Sequence, residues 1–199
     1  EVVFWLKRNE IELDNLVCRD EIDMNKNVKN LILVDHHVSP HHEKVISVID
    51  HRPYDENSNL IEECAVNINE VGSCATLITE AIKNDLGSDI GHEILQILYG
   101  PIVLDTINFS TEADKVRELD IEMAEFIERI LEIENPVEAR KKLFDELVTA
   151  RADISALDSL QLLSKDLKII SNADSSVRVA IHGVGYVFDY VEMPNAEEN

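Results

Sequence analysis

The chain has 199 residues, 45% of them hydrophobic, with 40 acidic and 18 basic side chains and a formal net charge of −22. That length suits one full domain and part of another. A field of that sign repels nucleic acid and anionic membrane surfaces, and no apolar run approaches the roughly 20 residues needed to span a bilayer. The odd cysteine count, Cys18, Cys64 and Cys74, lacks metal-type spacing and argues against a disulfide framework, so a reducing, cytoplasmic setting is expected. Residues 1–10 mix polar and apolar side chains and carry no secretory pattern. Because the first residue is Glu rather than Met, Glu1 is not expected to be the native start.

Taken in order, Val2 to Lys7 reads as the end of a helix with Phe4 and Trp5 in the core. Leu16 to Cys18 is a short strand candidate, and Asp23 to Asn30 a polar connection. Leu31 to Val34 is an unbroken apolar run that gives way to Asp35, His36 and His37. Such a run suits a strand buried on both faces of a parallel sheet. In open α/β sheets ligands sit beyond the carboxyl ends of the strands. Asp offers a hard oxygen and His a nitrogen, so the cluster suits a divalent metal. His41 and His42 read as a surface loop. Val45 to Ile49 repeats the design and ends in Asp50, His51 and Arg52, and Pro53 blocks further ladder pairing.

Tyr54 to Asn59 is loop-like. A helix is predicted from about Ser73, whose hydroxyl caps it, with Ala75, Leu77, Ile78 and Ile82 on its apolar face. Its N-terminus presents orphan N–H groups and can hold a phosphate. Cys74 has no assigned activating base and reads as a small packed residue. Asp89 to Leu98 predicts another helix, with Ile94, Leu95 and Leu98 inward, running up to Gly100 and Pro101. Ile102 to Ser110 holds a third apolar run, which ends in Asp105. Glu112 to Leu131 is helical by its spacing of Val116, Leu119, Met123, Phe126, Ile127 and Ile130, and Asn135–Pro136 breaks it. Val137 to Val148 resumes as a helix with a solvated charged face. A domain boundary is expected between Ile133 and Lys142. Leu157 to Leu167 is predicted helical, Ile169–Ile170 begins a strand, and Val177 to Ile181 is β-rich. Gly183 and Gly185 punctuate the next stretch, and Met193 to Asn199 is a polar tail.

Three apolar runs therefore each end in a potential ligand. Taken singly, each has a plainer reading: a polar strand end at Asp35, a satisfied buried histidine at His51, a capping carboxylate at Asp105. Together they point to bound divalent metal. Two divalent cations about 4 Å apart activate an attacking water and clamp the phosphoryl oxygens. Asp35 is the candidate bridging ligand because a carboxylate has two oxygens to share.

The pieces RDEID (19–23), LILVDHH (31–37), VIDHRP (48–53), VGSCATLITE (71–80) and GPIVLDTIN (100–108) carry a resemblance to the DHH phosphoesterase superfamily. Within it they look most like the prune-type exopolyphosphatases, and RADISAL (151–157) resembles the opening of their second domain. Family II inorganic pyrophosphatases share the layout but have Asn where His37 stands and His where Arg52 stands. The resemblance implies an α/β fold with a parallel sheet flanked by helices over residues 1–135, then the start of a smaller α+β domain over 142–199. It implies a metal-dependent phosphoanhydride hydrolase acting on short polyphosphate, with cyclic nucleotides as a further substrate class. The alternatives are a manganese-dependent inorganic pyrophosphatase, or a non-catalytic interaction protein that retains the fold. By resemblance, Asp35, His51 and Asp105 bind a two-metal Mn²⁺ or Mg²⁺ centre. His36 and His37 orient ligands or donate to substrate, and Arg52 and Ser73 bind the phosphate. A nucleoside diphosphate kinase is the implied protein partner, with no nucleic acid or membrane partner. The family's early Asp-rich motif and much of its second domain have no counterpart in the chain, so residues 1–199 alone are expected to release almost no phosphate.

Overall fold

In the computed structural model the described residues are 1–155, 157–164, 167–171 and 178–181. They fall into two compact units, Glu1–Val148 and Thr149–Asn199. The first unit is α/β. Strands β1 (Leu31–Val34), β2 (Val45–Asp50) and β3 (Ala65–Ile68) form a parallel sheet in the order β1-β2-β3. Leu33 pairs with Val48 and Val48 with Val66, while Val34 pairs with Ile49 and Ile49 with Asn67. The carboxyl ends of all three strands therefore lie along one edge. Helices α1 (Val2–Arg8) and α2 (Met24–Asn27) precede the sheet. Helices α3 (Cys74–Leu86), α4 (His92–Asp105), α5 (Glu118–Ile130) and α6 (Pro136–Ala152) come after it.

The main core is helical. Leu95, Tyr99, Ile102 and Val103 of α4 pack with Met123, Phe126 and Ile127 of α5 and Leu143 and Leu147 of α6. A smaller cluster, Leu33, Val45 and Val48, gathers Leu31, Leu60, Cys64 and Ile68 beside the sheet. The third apolar run belongs not to a strand but to the last turn of α4. Pro101 lies inside that helix and has no N–H to give the carbonyl of Ile97. The indole Nε1–H of Trp5 donates to that carbonyl at 2.9 Å, so α1 supplies the missing bond. Gly100 makes room for it, since a Cβ there would lie 2.4 Å from the Trp5 ring.

Several expectations shift. Phe4 is exposed rather than in the core, and Ile94 on α4 is 45% exposed. Leu16–Cys18 forms no strand, whereas Ala65–Ile68 does. Residues 111–113 form a short 3-10 turn, and α5 begins only at Glu118. In the second unit α7 (Ser159–Ser164) precedes an antiparallel pair, β4 (Lys168–Ser171) and β5 (Arg178–Ile181). Gly183, Gly185 and the expected polar tail lie outside the described residues.

Candidate metal centre

The site is built where β1 and β2 end. Immediately after β1 the chain turns at Asp35, which takes a left-handed φ of 63°. Aspartate tolerates that conformation because its short polar side chain bonds locally. The Asp35 N–H still extends the ladder, donating to Ile49 O at 2.9 Å. Its carboxylate is half exposed. Oδ1 lies 3.1 Å from His51 Nε2, and Oδ2 lies 3.4 Å from Arg52 Nη2.

The second nitrogen of His51 fixes the ring. Nδ1 lies 2.9 Å from the carbonyl of Val71. A carbonyl only accepts, so Nδ1 carries a proton, and the ring in its neutral form presents the lone pair of Nε2 to Asp35. A lone pair and a carboxylate oxygen at 3.1 Å repel unless a proton or a cation lies between them. A backbone carbonyl that sets the tautomer is also the usual partner of a ligating histidine.

Beside them Asp50 is fully buried. Its Oδ1 accepts from the N–H groups of His51 (2.8 Å) and Arg52 (3.3 Å), and its Oδ2 from His37 Nδ1 (2.5 Å). Burial pushes this carboxyl up. The hydrogen bonds from His37, Arg52 and His51 outweigh burial and hold it below the ordinary carboxylate range. His37 is itself buried and stacks on Tyr54 with ring centroids 5.6 Å apart. Its Nε2 accepts from the Asp55 N–H at 2.7 Å. Both ring nitrogens are thus occupied, and this geometry has His37 orient Asp50 rather than donate to a substrate. His36 is exposed, and its Nδ1 lies 3.0 Å from Val34 O, which leaves Nε2 as the nitrogen with a lone pair.

Among the described residues, Asp35, Asp50 and His51 form one group whose ligand atoms all lie within 4.8 Å of one another. Two carboxylates and an imidazole of fixed tautomer are a donor set that fits a divalent cation. Asp105, the last residue of α4, is not in that group. Its Oδ2 accepts from the Ser73 hydroxyl at 2.7 Å. Ser73 is buried and caps α3, accepting from the Ala75 N–H at 3.3 Å, so its hydroxyl has partners on both sides. The adjacent Cys74 thiol donates to Ile49 O at 3.3 Å. Burial pushes this thiol up to about 11, with the charges of Asp35 and Asp50 adding to the shift, so it stays protonated and packs.

Asp50 is the residue that sequence reasoning passed over. Its signal was present in β2, where Val45, Val48 and Asp50 are the buried positions. An aspartate that continues a buried series needs several donors, and here it has them.

No family model matches the chain. Mouse exopolyphosphatase PRUNE1 is 33% identical over 187 residues, 89% of this chain and 40% of that protein. The human protein of the same name is 33% identical over 193 residues, 92% of this chain and 41% of that protein. The chain is of the prune type within the DHH superfamily. It spans about two fifths of the length of these prune relatives. Among solved structures, a Methanococcus jannaschii protein described as a family II inorganic pyrophosphatase superposes with a TM-score of 0.63 at 22% identity. The match covers 90% of this chain and 58% of that one, and shows that the prune-type chain shares its fold. No helix among the described residues is long and apolar enough to cross a membrane.

Proposed function

We propose that Asp35, Asp50 and His51 hold a divalent cation, Mn²⁺ or Mg²⁺, and that the protein hydrolyses phosphoanhydrides, releasing phosphate from short polyphosphate. One observation carries this reading. The Val71 carbonyl fixes the His51 tautomer, so that a nitrogen lone pair and the Asp35 carboxylate converge at 3.1 Å with Asp50 alongside. A bound divalent cation lowers the pKa of an attacking water and neutralises charge on the phosphoryl oxygens.

The chain's own residues do the rest. Arg52, half exposed beside Asp35, offers a planar fork of donors to a phosphate. The exposed His36 ring lies next in the chain to Asp35 and, in its imidazolium form with a proton on Nε2 as well as on Nδ1, is the group proposed to give that Nε2 proton to the leaving oxygen. The buried Asp50–His37 pair holds the His51 and Arg52 backbone in place. Asp105, oriented by Ser73, is proposed as a ligand to a second cation. The prune relatives named as exopolyphosphatases support this choice of substrate.

The test is phosphate release from tripolyphosphate in millimolar Mn²⁺, comparing a full-length parent of the chain with its Asp35→Asn variant. The variant keeps the shape and removes the charge, and is expected to lose about 10²-fold or more in rate. A rate within a few-fold of wild type would remove Asp35 from the site.

A further inference from the structure

We infer that Asp120, remote in sequence from every candidate ligand, is a positioning residue that sets the orientation of His51 through a single peptide plane. The inference rests on the cation site proposed above. Asp120 lies in the first turn of α5 and is fully buried. Its Oδ2 accepts from the N–H of Gly72 at 2.7 Å and of Arg117 at 2.8 Å, and its Oδ1 from the Thr76 hydroxyl at 2.5 Å. The Gly72 N–H and the Val71 C=O belong to the same peptide unit. That unit is planar and trans, so its N–H and C=O point in opposite directions as one rigid body. Asp120 holds the N–H end. The C=O end receives His51 Nδ1 and leaves the Nε2 lone pair facing Asp35.

Gly72 is also closely packed, since a Cβ there would lie 2.7 Å from Thr106 Cγ2 and 3.0 Å from both Asp120 Oδ2 and the Lys115 carbonyl. The next residue, Ser73, orients Asp105. One buried carboxylate therefore governs a loop that touches two of the candidate ligands from opposite ends. A carboxylate that only capped α5 and joined it to α3 would need the Arg117 and Thr76 bonds and not the Gly72 bond.

The experiment compares Asp120→Ala, Asp120→Asn and Thr76→Val. An asparagine can leave its carbonyl oxygen at the Oδ2 position and donate its amide to the Thr76 hydroxyl, so it keeps the plane. Thr76→Val removes a bond that does not reach the plane. The first readout is the ring ¹⁵N spectrum of His51 in metal-free protein at about pH 8, where an ordinary histidine is neutral. The second is Mn²⁺ affinity by electron paramagnetic resonance. Asp120→Ala is expected to raise the Nε2–H tautomer at the expense of Nδ1–H and to weaken Mn²⁺ binding roughly 10–100-fold. Asp120→Asn should restore both, and Thr76→Val should move neither, although it also lowers stability. If Asp120→Ala does not fold, Gly72→Ala displaces the same plane and should give the same tautomer change. An unchanged His51 tautomer in whichever of these two variants folds overturns the inference. Wild-type protein with the Nδ1–H tautomer but no Mn²⁺ binding would sink the cation site and leave the positioning of His51 to the tautomer result.

Discussion

Asp50→Asn replaces one oxygen by NH₂ and leaves all three donors around the side chain in place. The N–H groups of His51 and Arg52 converge on Oδ1, so the amide oxygen must stay there. The amide NH₂ then faces His37 Nδ1, which carries the proton. The ring can shift its proton to Nε2 and accept from the amide, but Nε2 already faces the Asp55 N–H at 2.7 Å. Two donors meet in either tautomer, and the site is too buried for water to relieve them. The variant loses a charge-assisted hydrogen bond and strands a buried donor, each about 1–3 kcal/mol and partly overlapping, for an expected cost of about 2–4 kcal/mol. Against a domain stability of about 5–15 kcal/mol that is readily measured by urea unfolding in EDTA at pH 7. The wild-type carboxyl ionises below its unfolded value. Its contribution is therefore present above the unfolded carboxylate pKa, near 3.9, and is lost as pH falls through the lower, folded value. A protonated Asp50 meets the same conflict as asparagine, so the two proteins should converge in stability in acid. A cost under about 1 kcal/mol at pH 7, or a difference that does not shrink in acid, would refute the donor conflict.

Trp5→Phe should strand the Ile97 carbonyl and cost about 1–3 kcal/mol. In a Pro101→Ala background, which restores an N–H for that carbonyl, the penalty should fall by about 1 kcal/mol, and equal penalties in the two backgrounds would break the link. Cys74 ionises in the folded state only near pH 11, above the unfolded thiol value near 8.5. Its contribution to stability is full below the unfolded value and is lost as pH rises toward 11. In a chain whose other two cysteines are serine, alkylation of the folded protein should keep accelerating up to about pH 11, and a plateau near pH 9 would show an ordinary thiol.

The parts of the site that lie next to each other in the chain were legible in the sequence. The runs before Asp35 and before Asp50–His51 are parallel strands, but they are not buried on both faces as their apolar character led one to expect, since Ile32, Val34 and Ile46 are exposed. The similar run before Asp105 is helical, and a short apolar run followed by an acid cannot distinguish the two cases. What separates them is remote, because the carbonyl of Ile97 that Pro101 leaves without an N–H inside α4 is bonded by a tryptophan 92 positions from Ile97. The third strand is four residues long and exposed at its start, which gives it almost no pattern. For His37 the sequence left two roles open, orienting a ligand or donating to substrate, and what bears on the choice is that both of its nitrogens have partners, Asp50 and the Asp55 N–H.

The turn after α4 decides how the chain can vary there. Ile107, Asn108 and Phe109 all take left-handed φ values, between 50° and 60°. Asparagine sits there readily and a β-branched residue does not. The conformation is held from outside these residues, by the Asn108 N–H bound to Val103 O and by the Thr106 hydroxyl, which accepts from the Phe109 N–H. Selection at these positions therefore acts on backbone shape before side-chain chemistry. Glycine relieves the strain at any of the three. Proline, with φ fixed near −65°, is shut out of all of them. Substitutions that keep the chain leaving Asp105 by the same path are therefore expected to be residues that can hold a positive φ.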